Sequence, residues 1–320
     1  MQLYRVKISN IHPLKIVKPI LSLKTDFQTI LVTGANGQLG CGFRDLAASY
    51  PQFHFLFVAK DILAIDDFDS VIDYFNQHKI DYCINCAAYT AVDKAESEKE
   101  EAFLVNAQAA ANLAKVCRAF NARLIHISTD YVFDGTAGLP FKENNPTNPL
   151  GIYGASKLKG EDLVMQNNPE AIIIRTSWVY ASFGNNFVKT MLRLMKEKES
   201  INVVDDQWGS PTYAADLARA IMHIITHWHI TETVPLKIFN YCNTGAITWY
   251  RFALEIKNLT QSKCIINPVP TEQFPTIAKR PKYSVLDTTK IRETFNLQIP
   301  GWEKSLQVCL KKLNPQISPE

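Results

Sequence analysis

Thr29-Ile30-Leu31-Val32-Thr33-Gly34-Ala35-Asn36-Gly37-Gln38-Leu39-Gly40 is the stretch that decides the fold. A short run rich in β-branched residues enters three glycines, and the next residues place Leu39, Phe43, Leu46 and Ala47 on one helical stripe. A strand, a glycine turn and a helix in that order form a cradle for phosphate. Small residues let the backbone approach a pyrophosphate, and the helix N-terminus supplies free N–H groups and a positive dipole end. Gly34, Asn36, Gly37, Gln38, Leu39 and Gly40 are therefore expected to hold a dinucleotide, although G-x-x-G-x-x-G differs from the simplest fingerprint, G-x-G-x-x-G.

Working outward, short apolar runs at 54–58, 82–86, 124–128, 171–175, 201–204 and 237–241 alternate with helix-period segments. Helical stripes fall at Phe103, Ala107, Ala110, Ala114 and Cys117, at Phe187, Met191, Leu194 and Met195, and at Leu217, Ile221, Ile224 and Ile225. This alternation predicts an α/β fold, a doubly wound parallel sheet of Rossmann type with a smaller C-terminal substrate lobe. The expected division is an N-terminal extension over 1–28, poorly ordered and without a helix or strand period. A dinucleotide-binding domain over 29–177 follows, joined by a returning strand near 237–241. Residues 178–320, where loops and prolines increase, are expected to form mainly the substrate-binding lobe.

The bulk properties narrow the function. The chain has 320 residues, 47% hydrophobic and 20% charged, enough to bury a sizeable core. Its net charge of +3 is misleading, because five of the 34 Lys and Arg lie in residues 1–25, which hold no acid. The rest carries 29 basic against 31 acidic residues, a balance that argues against a nucleic-acid partner. No apolar stretch approaches a membrane span. Seven scattered cysteines suit a reducing compartment, so cytoplasm is expected. Cys83 and Cys86 lie three apart in an apolar strand and read as core rather than a metal or redox pair.

The chemistry points to carbonyl reduction. Ser128-Thr129-Asp130 closes a strand at the carboxyl edge, where open α/β sheets place ligands. Tyr153-Gly154-Ala155-Ser156-Lys157 opens a helix, and a spacing of four puts Tyr153 and Lys157 on one face. A phenol can donate a proton to a developing alkoxide, and a neighbouring ammonium and an oxidised nicotinamide are expected to lower its pKa. Thr129 then binds the substrate oxygen. At the end of the second strand, Val58-Ala59-Lys60-Asp61 places a cation where an acid would favour NAD, so Lys60 is expected to pair with the 2′-phosphate of NADPH, with NADH as the alternative.

These stretches resemble the extended short-chain dehydrogenases/reductases, and within them most closely the dTDP-4-dehydrorhamnose reductase family. The resemblance runs from about Thr29 to Trp302 and includes Asn85 to Glu96, Ser128 to Gly135, Arg175 to Tyr180, Gly184 to Phe187, Asp206-Gln207 with Gly209 to Thr212, and Arg280-Pro281. It implies NADPH-dependent reduction of the C4 keto group of a 4-keto-6-deoxy sugar nucleotide. It further implies that Tyr153 is the proton donor and that Lys157 holds the nicotinamide ribose. Ala87 and Ala88 would flank the cofactor, and Thr90, Val92, Thr129, Asp130 and Trp178 would surround the sugar. Asn185, Asn186, Gln207 and Arg280 would lie toward the nucleotide.

Two departures stand out. Leu63-Ala64-Ile65 replaces a family Leu-Asp-Ile near the adenine, and Gly42 replaces a glutamate that some relatives use in a metal-bridged dimer, so no metal is expected. A sugar-nucleotide substrate is the expected partner, a homodimer stays open, and neither nucleic acid nor membrane is expected. Two other readings stay open: a non-catalytic regulatory subunit resembling the methionine adenosyltransferase partner, and another sugar-nucleotide reductase or epimerase.

Overall fold

The computed structural model describes residues 27–233 and 237–314. Its strands are β1 (Gln28–Thr33), β2 (Phe53–Val58), β3 (Tyr82–Asn85), β4 (Arg123–Thr129), β5 (Ile172–Thr176), β6 (Val179–Tyr180), β7 (Ser200–Val204), β8 (Trp208–Gly209), β9 (Thr212–Tyr213), β10 (Ile238–Asn240), β11 (Ile247–Thr248) and β12 (Ile265–Val269). Its α-helices are α1 (Gln38–Ala47), α2 (Phe68–Gln77), α3 (Val92–Ala95), α4 (Lys99–Phe103), α5 (Ala110–Ala119), α6 (Ile152–Asn167), α7 (Phe187–Glu197), α8 (Ala214–Thr226), α9 (Trp249–Thr260), α10 (Thr289–Phe295) and α11 (Trp302–Leu313).

Six strands form one parallel sheet in the order β10-β5-β4-β3-β1-β2. Alternation along each strand builds two cores. Ile30 and Val32 of β1, Ile125 of β4 and Ile172 and Ile174 of β5 face one apolar cluster, which α1, α8 and α10 cover. Leu31, Leu124 and Ile173 face the other, which α2, α5 and α6 cover. Helices on both faces explain why the strands read as continuous apolar runs rather than alternating ones. The chain leaves β1 toward β2 on one side and toward β3 on the other, so the strand order reverses between β1 and β3. Ligands of open α/β sheets bind in the crevice at such a reversal.

A third apolar cluster gathers α7, α9, α11 and the parallel pair β7·β12, forming a smaller lobe beside the carboxyl edge. The segment after 178 serves both bodies. Leu217, Ile221, Ile224 and Ile225 of α8, together with Ile291 and Phe295 of α10, pack under the main sheet, whereas α7 and α9 do not. The run at 201–204 is a strand, but it pairs with β12 outside the main sheet. The expected extension over 1–28 falls, up to residue 26, outside the described residues, and Gln28 already belongs to β1. No helix among the described residues is long and apolar enough to cross a membrane.

Candidate active site

A cleft of about 820 Å³ opens at the carboxyl edge, running from Lys60, Leu63 and Ile65 past the glycine turn to Tyr153, Trp178 and Asn185. Its volume is that of a small-molecule site. Gly34 has φ +61°, and a Cβ there would fall 2.6 Å from the Ala87 nitrogen. At Gly40 a Cβ would lie 2.5 Å from the Gly34 carbonyl oxygen, so the turn and the first turn of α1 close on each other only without side chains. Gly37 is the N-cap of α1 and supplies no side-chain cap, which leaves first-turn N–H groups for a ligand. Crowded glycines and an uncapped helix end beside the strand-order reversal fit a dinucleotide pyrophosphate.

The loop after β3 forms the opposite wall. Asn85 is buried; its side-chain oxygen accepts from Thr33 Oγ1 at 2.8 Å and from the Ala87 amide at 3.2 Å. Asn106 clamps the same loop further on. Its Oδ1 accepts from the Tyr89 amide at 2.9 Å, while its Nδ2 donates to the Tyr89 carbonyl and to Ser156 Oγ, both at 3.0 Å. Asn106 lies in a π-helical turn, Leu104–Ala109, between α4 and α5. Such a turn re-aims a side chain within an otherwise continuous helix.

Another part of the cleft lies where β4 meets α6. Tyr153 and Lys157 both line the cleft, one helical turn apart, and Thr129 is hydrogen-bonded to Tyr153. Lys157 Nζ donates to the Ile127 carbonyl at 2.6 Å. Burial sets the titration here. It pushes the Tyr153 phenol up to about 12, partly offset by the Thr129 hydrogen bond, and the Lys157 ammonium down to about 8 against the pull of Glu161. The lowering expected from sequence relies on an oxidised nicotinamide beside the phenol; in the chain itself burial is the largest influence and the nearby Asp130 carboxylate adds to it. Burial likewise lifts the Asp130 carboxyl to about 7, and Thr129 Oγ1 donates to its Oδ1 at 3.0 Å.

Beneath these groups lies a buried ion pair. Arg175 of β5 donates to Glu161 of α6 at 2.9, 3.2 and 2.6 Å, and Ser128 Oγ donates to the same carboxylate at 2.5 Å. Glu161 stands one turn beyond Lys157, so the pair, with Ser128, joins β4, β5 and α6 beside Lys157.

Of the residues expected from sequence, Gly34, Gly37, Gln38, Leu39, Lys60, Ala87, Ala88, Thr90, Val92, Thr129, Asp130, Tyr153, Lys157, Trp178, Asn185 and Asn186 line the cleft. Asn36 and Gly40 shape the turn without lining it. Asn186 is engaged by protein: it caps α7 through Lys189 N at 3.1 Å and donates to Gln38 Oε1 at 2.9 Å, tying the glycine turn to the smaller lobe. Gln207 and Arg280 do not line the cleft. Gln207 is buried and donates to Thr271 Oγ1 at 3.0 Å, while Arg280 forks onto Asp93 at 2.7 and 3.1 Å. Lys60 is exposed, 3.6 Å from Asp66 and 3.8 Å from Glu101, at the end of the cleft that Leu63 and Ile65 also line. Sequence reasoning missed Trp249 and Asn106; no local motif marks Trp249, and Asn106 offered only a polar residue beside an apolar stripe.

A doubly wound sheet with a glycine turn at the strand-order reversal, and a Tyr-x-x-x-Lys helix beside a Ser-Thr strand end, defines a dinucleotide-dependent oxidoreductase of the short-chain dehydrogenase/reductase class. The chain belongs to the family described as RmlD substrate binding domain, whose model matches residues 28–314. It is 38% identical over 284 residues to a dTDP-4-dehydrorhamnose reductase of Aggregatibacter actinomycetemcomitans, covering 87% of this chain and 97% of that one. It is also 38% identical over 288 residues to a dTDP-4-keto-6-deoxy-D-glucose reductase of Streptomyces niveus, covering 89% and 97%. Among solved structures, the dTDP-4-dehydrorhamnose reductase of Bacillus anthracis in complex with NADP superposes with a TM-score of 0.83 at 38% identity, covering 89% of this chain and 99% of that one.

Proposed function

We propose that this chain reduces the C4 keto group of dTDP-4-dehydro-L-rhamnose to give dTDP-L-rhamnose, using NADPH. The observation that carries the reading is the convergence of Thr129, Tyr153 and Lys157 on one cleft with the glycine cradle. When bound, NADPH supplies the hydride that goes to C4. Gly34, Gly37 and the first turn of α1 would hold its pyrophosphate, and Lys157 its nicotinamide ribose. Thr129 and Tyr153 would hydrogen-bond the keto oxygen and fix its orientation. As negative charge develops on that oxygen, Tyr153 gives up its phenolic proton, so the ketone leaves as a secondary alcohol. The tyrosine then regains a proton from solvent. A phenol whose pKa is raised by burial holds its proton at neutral pH, which is the state an acid must be in before each turnover, and the alkoxide it meets is the stronger base.

The Streptomyces relative supports a second substrate reading, dTDP-4-keto-6-deoxy-D-glucose, reduced at the same carbon by the same groups. Supplying each sugar nucleotide with NADPH and following loss of the reduced cofactor separates the two. Tyr153→Phe should lower turnover by about a hundredfold or more while NADPH affinity barely changes, since general acid catalysis is worth roughly that much. Near-normal turnover in this variant would remove Tyr153 from the role of acid. NADPH binding without oxidation of either mixture by the wild type would favour a regulatory protein instead.

A further inference from the structure

Trp178 lines the cleft in a conformation that an L residue with a bulky side chain rarely takes, φ +46°. Its backbone is pinned on both sides. Ser177 Oγ donates to the Ser210 carbonyl at 2.7 Å, and the Thr212 amide donates to the Trp178 carbonyl at 3.2 Å. Its indole is pinned as well. Trp249 stacks on it with ring centroids 3.4 Å apart and planes 7° apart, and Phe187 backs Trp249 at 4.6 Å.

The second face meets Gly209. A Cβ built there would fall 2.4 Å from Cε2 of Trp178 and 2.6 Å from both Cζ2 and Nε1. The ring-fusion atom is nearer than the two atoms that flank it on the outer side, which puts that position above the ring plane at its Nε1–Cζ2 edge. No atom of Trp249 is among those closest to it, so glycine and tryptophan cover opposite faces. The antiparallel pair β8·β11 sets both in place, matching Gly209 with Ile247 and Trp208 with Thr248. Thr248 caps α9 through Arg251 N at 3.2 Å and donates to Asp205 Oδ1 at 2.5 Å, which fixes the start of the helix that carries Trp249.

We propose that Trp249 is a specificity-determining residue of the substrate cleft, holding the Trp178 indole edge-on between itself and Gly209 so that the sugar meets the ring's rim rather than its face. The rim of an indole carries the positive part of the ring quadrupole. It therefore favours the oxygen-bearing side of a deoxy sugar over the C–H face that stacks on an open aromatic. The strained backbone of Trp178 is maintained because both ring faces are held. This inference rests on the reductase reading above.

The test is a set of variants assayed with dTDP-4-dehydro-L-rhamnose and NADPH, with circular dichroism of the same samples. Stacked indoles at this distance give an exciton couplet, which Trp249→Ala and Trp178→Ala should each abolish. Trp249→Ala should raise KM for the sugar nucleotide about tenfold, the upper end of what an aromatic pair is worth, with a much smaller change in kcat and in KM for NADPH. Trp249→Phe should recover most of that loss. In a Trp178→Ala background, Trp249→Ala should add nothing. Loss of the couplet without a change in KM, or an undiminished effect in the Trp178→Ala background, overturns the inference alone. A wild type that shows the couplet but oxidises no NADPH with this substrate overturns the reductase reading, and the inference with it.

Discussion

Replacing Arg175 by methionine tests whether the buried ion pair beneath the active site holds β4, β5 and α6 together. Its side chain is 3% exposed and that of Glu161 2% exposed. Arg175 gives Glu161 three hydrogen bonds, gives the Glu143 carbonyl one at 3.1 Å, and lies 5.0 Å above the Phe133 ring. Methionine fills much of that volume but leaves the carboxylate with Ser128 as its remaining partner in this network. Removing one member of a buried pair costs about 3–5 kcal/mol, because the other charge is left desolvated. Over the roughly 285 described residues, an unfolding entropy of about 2.1 cal/mol/K per residue gives about 0.6 kcal/mol/K. A loss of about 4 kcal/mol then lowers Tm by about 7 °C. Urea denaturation at pH 7 should show the same loss as a lower midpoint with an unchanged slope. Arg175→Met with Glu161→Leu should regain most of the stability, since an apolar replacement of both partners removes the orphan charge. A single variant within about 1 kcal/mol of wild type, or a double variant as weak as the single, would show that the pair does not hold these elements together.

Other perturbations probe Lys60 and Asp130, which both line the cleft. Lys60→Ala should lower the ratio of kcat/KM for NADPH over NADH about tenfold, the order of one charge-assisted contact to phosphate, and an unchanged ratio would assign the choice of cofactor elsewhere. Asp130 is a carboxyl whose folded pKa, about 7, lies above its ordinary 3.8, so its stabilising contribution is complete below about pH 4 and is lost as the pH rises toward 7. Asp130→Asn should therefore match wild type in Tm near pH 4 and exceed it by several degrees at pH 8. A difference that does not vary with pH would contradict the burial argument.

Much of the fold was legible because a sheet covered on both faces demands apolar β-branched runs, and Thr29 to Thr33, Leu124 to Ser128 and Ala171 to Arg175 are such runs. The glycine turn and the Tyr153-Lys157 pair were legible because each is local, a turn and a single helix face. Whatever depends on distant segments meeting was not. Trp249 reaches Trp178 only because β8 and β11 pair, and Glu161 reads as a solvated helix charge until Arg175 of β5 lies against it. The partners that Gln207 and Arg280 have inside the protein, Thr271 and Asp93, were not legible for the same reason, since no spacing announces them. The rise of the Tyr153 phenol was not legible either, because the depth of burial that chiefly causes it is a property of the assembled cleft.

Hydride transfer from NADPH to C4 of a sugar nucleotide, with Tyr153 as the acid, is open to a direct isotopic test. The most direct measurement supplies NADPH deuterated at the transferable position together with dTDP-4-dehydro-L-rhamnose, and locates the label in the product by NMR. The expected product is dTDP-L-rhamnose carrying one deuterium at C4, formed by the wild type and about a hundredfold more slowly by Tyr153→Phe. A product unlabelled at C4, or cofactor bound and left unoxidised in the presence of this substrate, would contradict it.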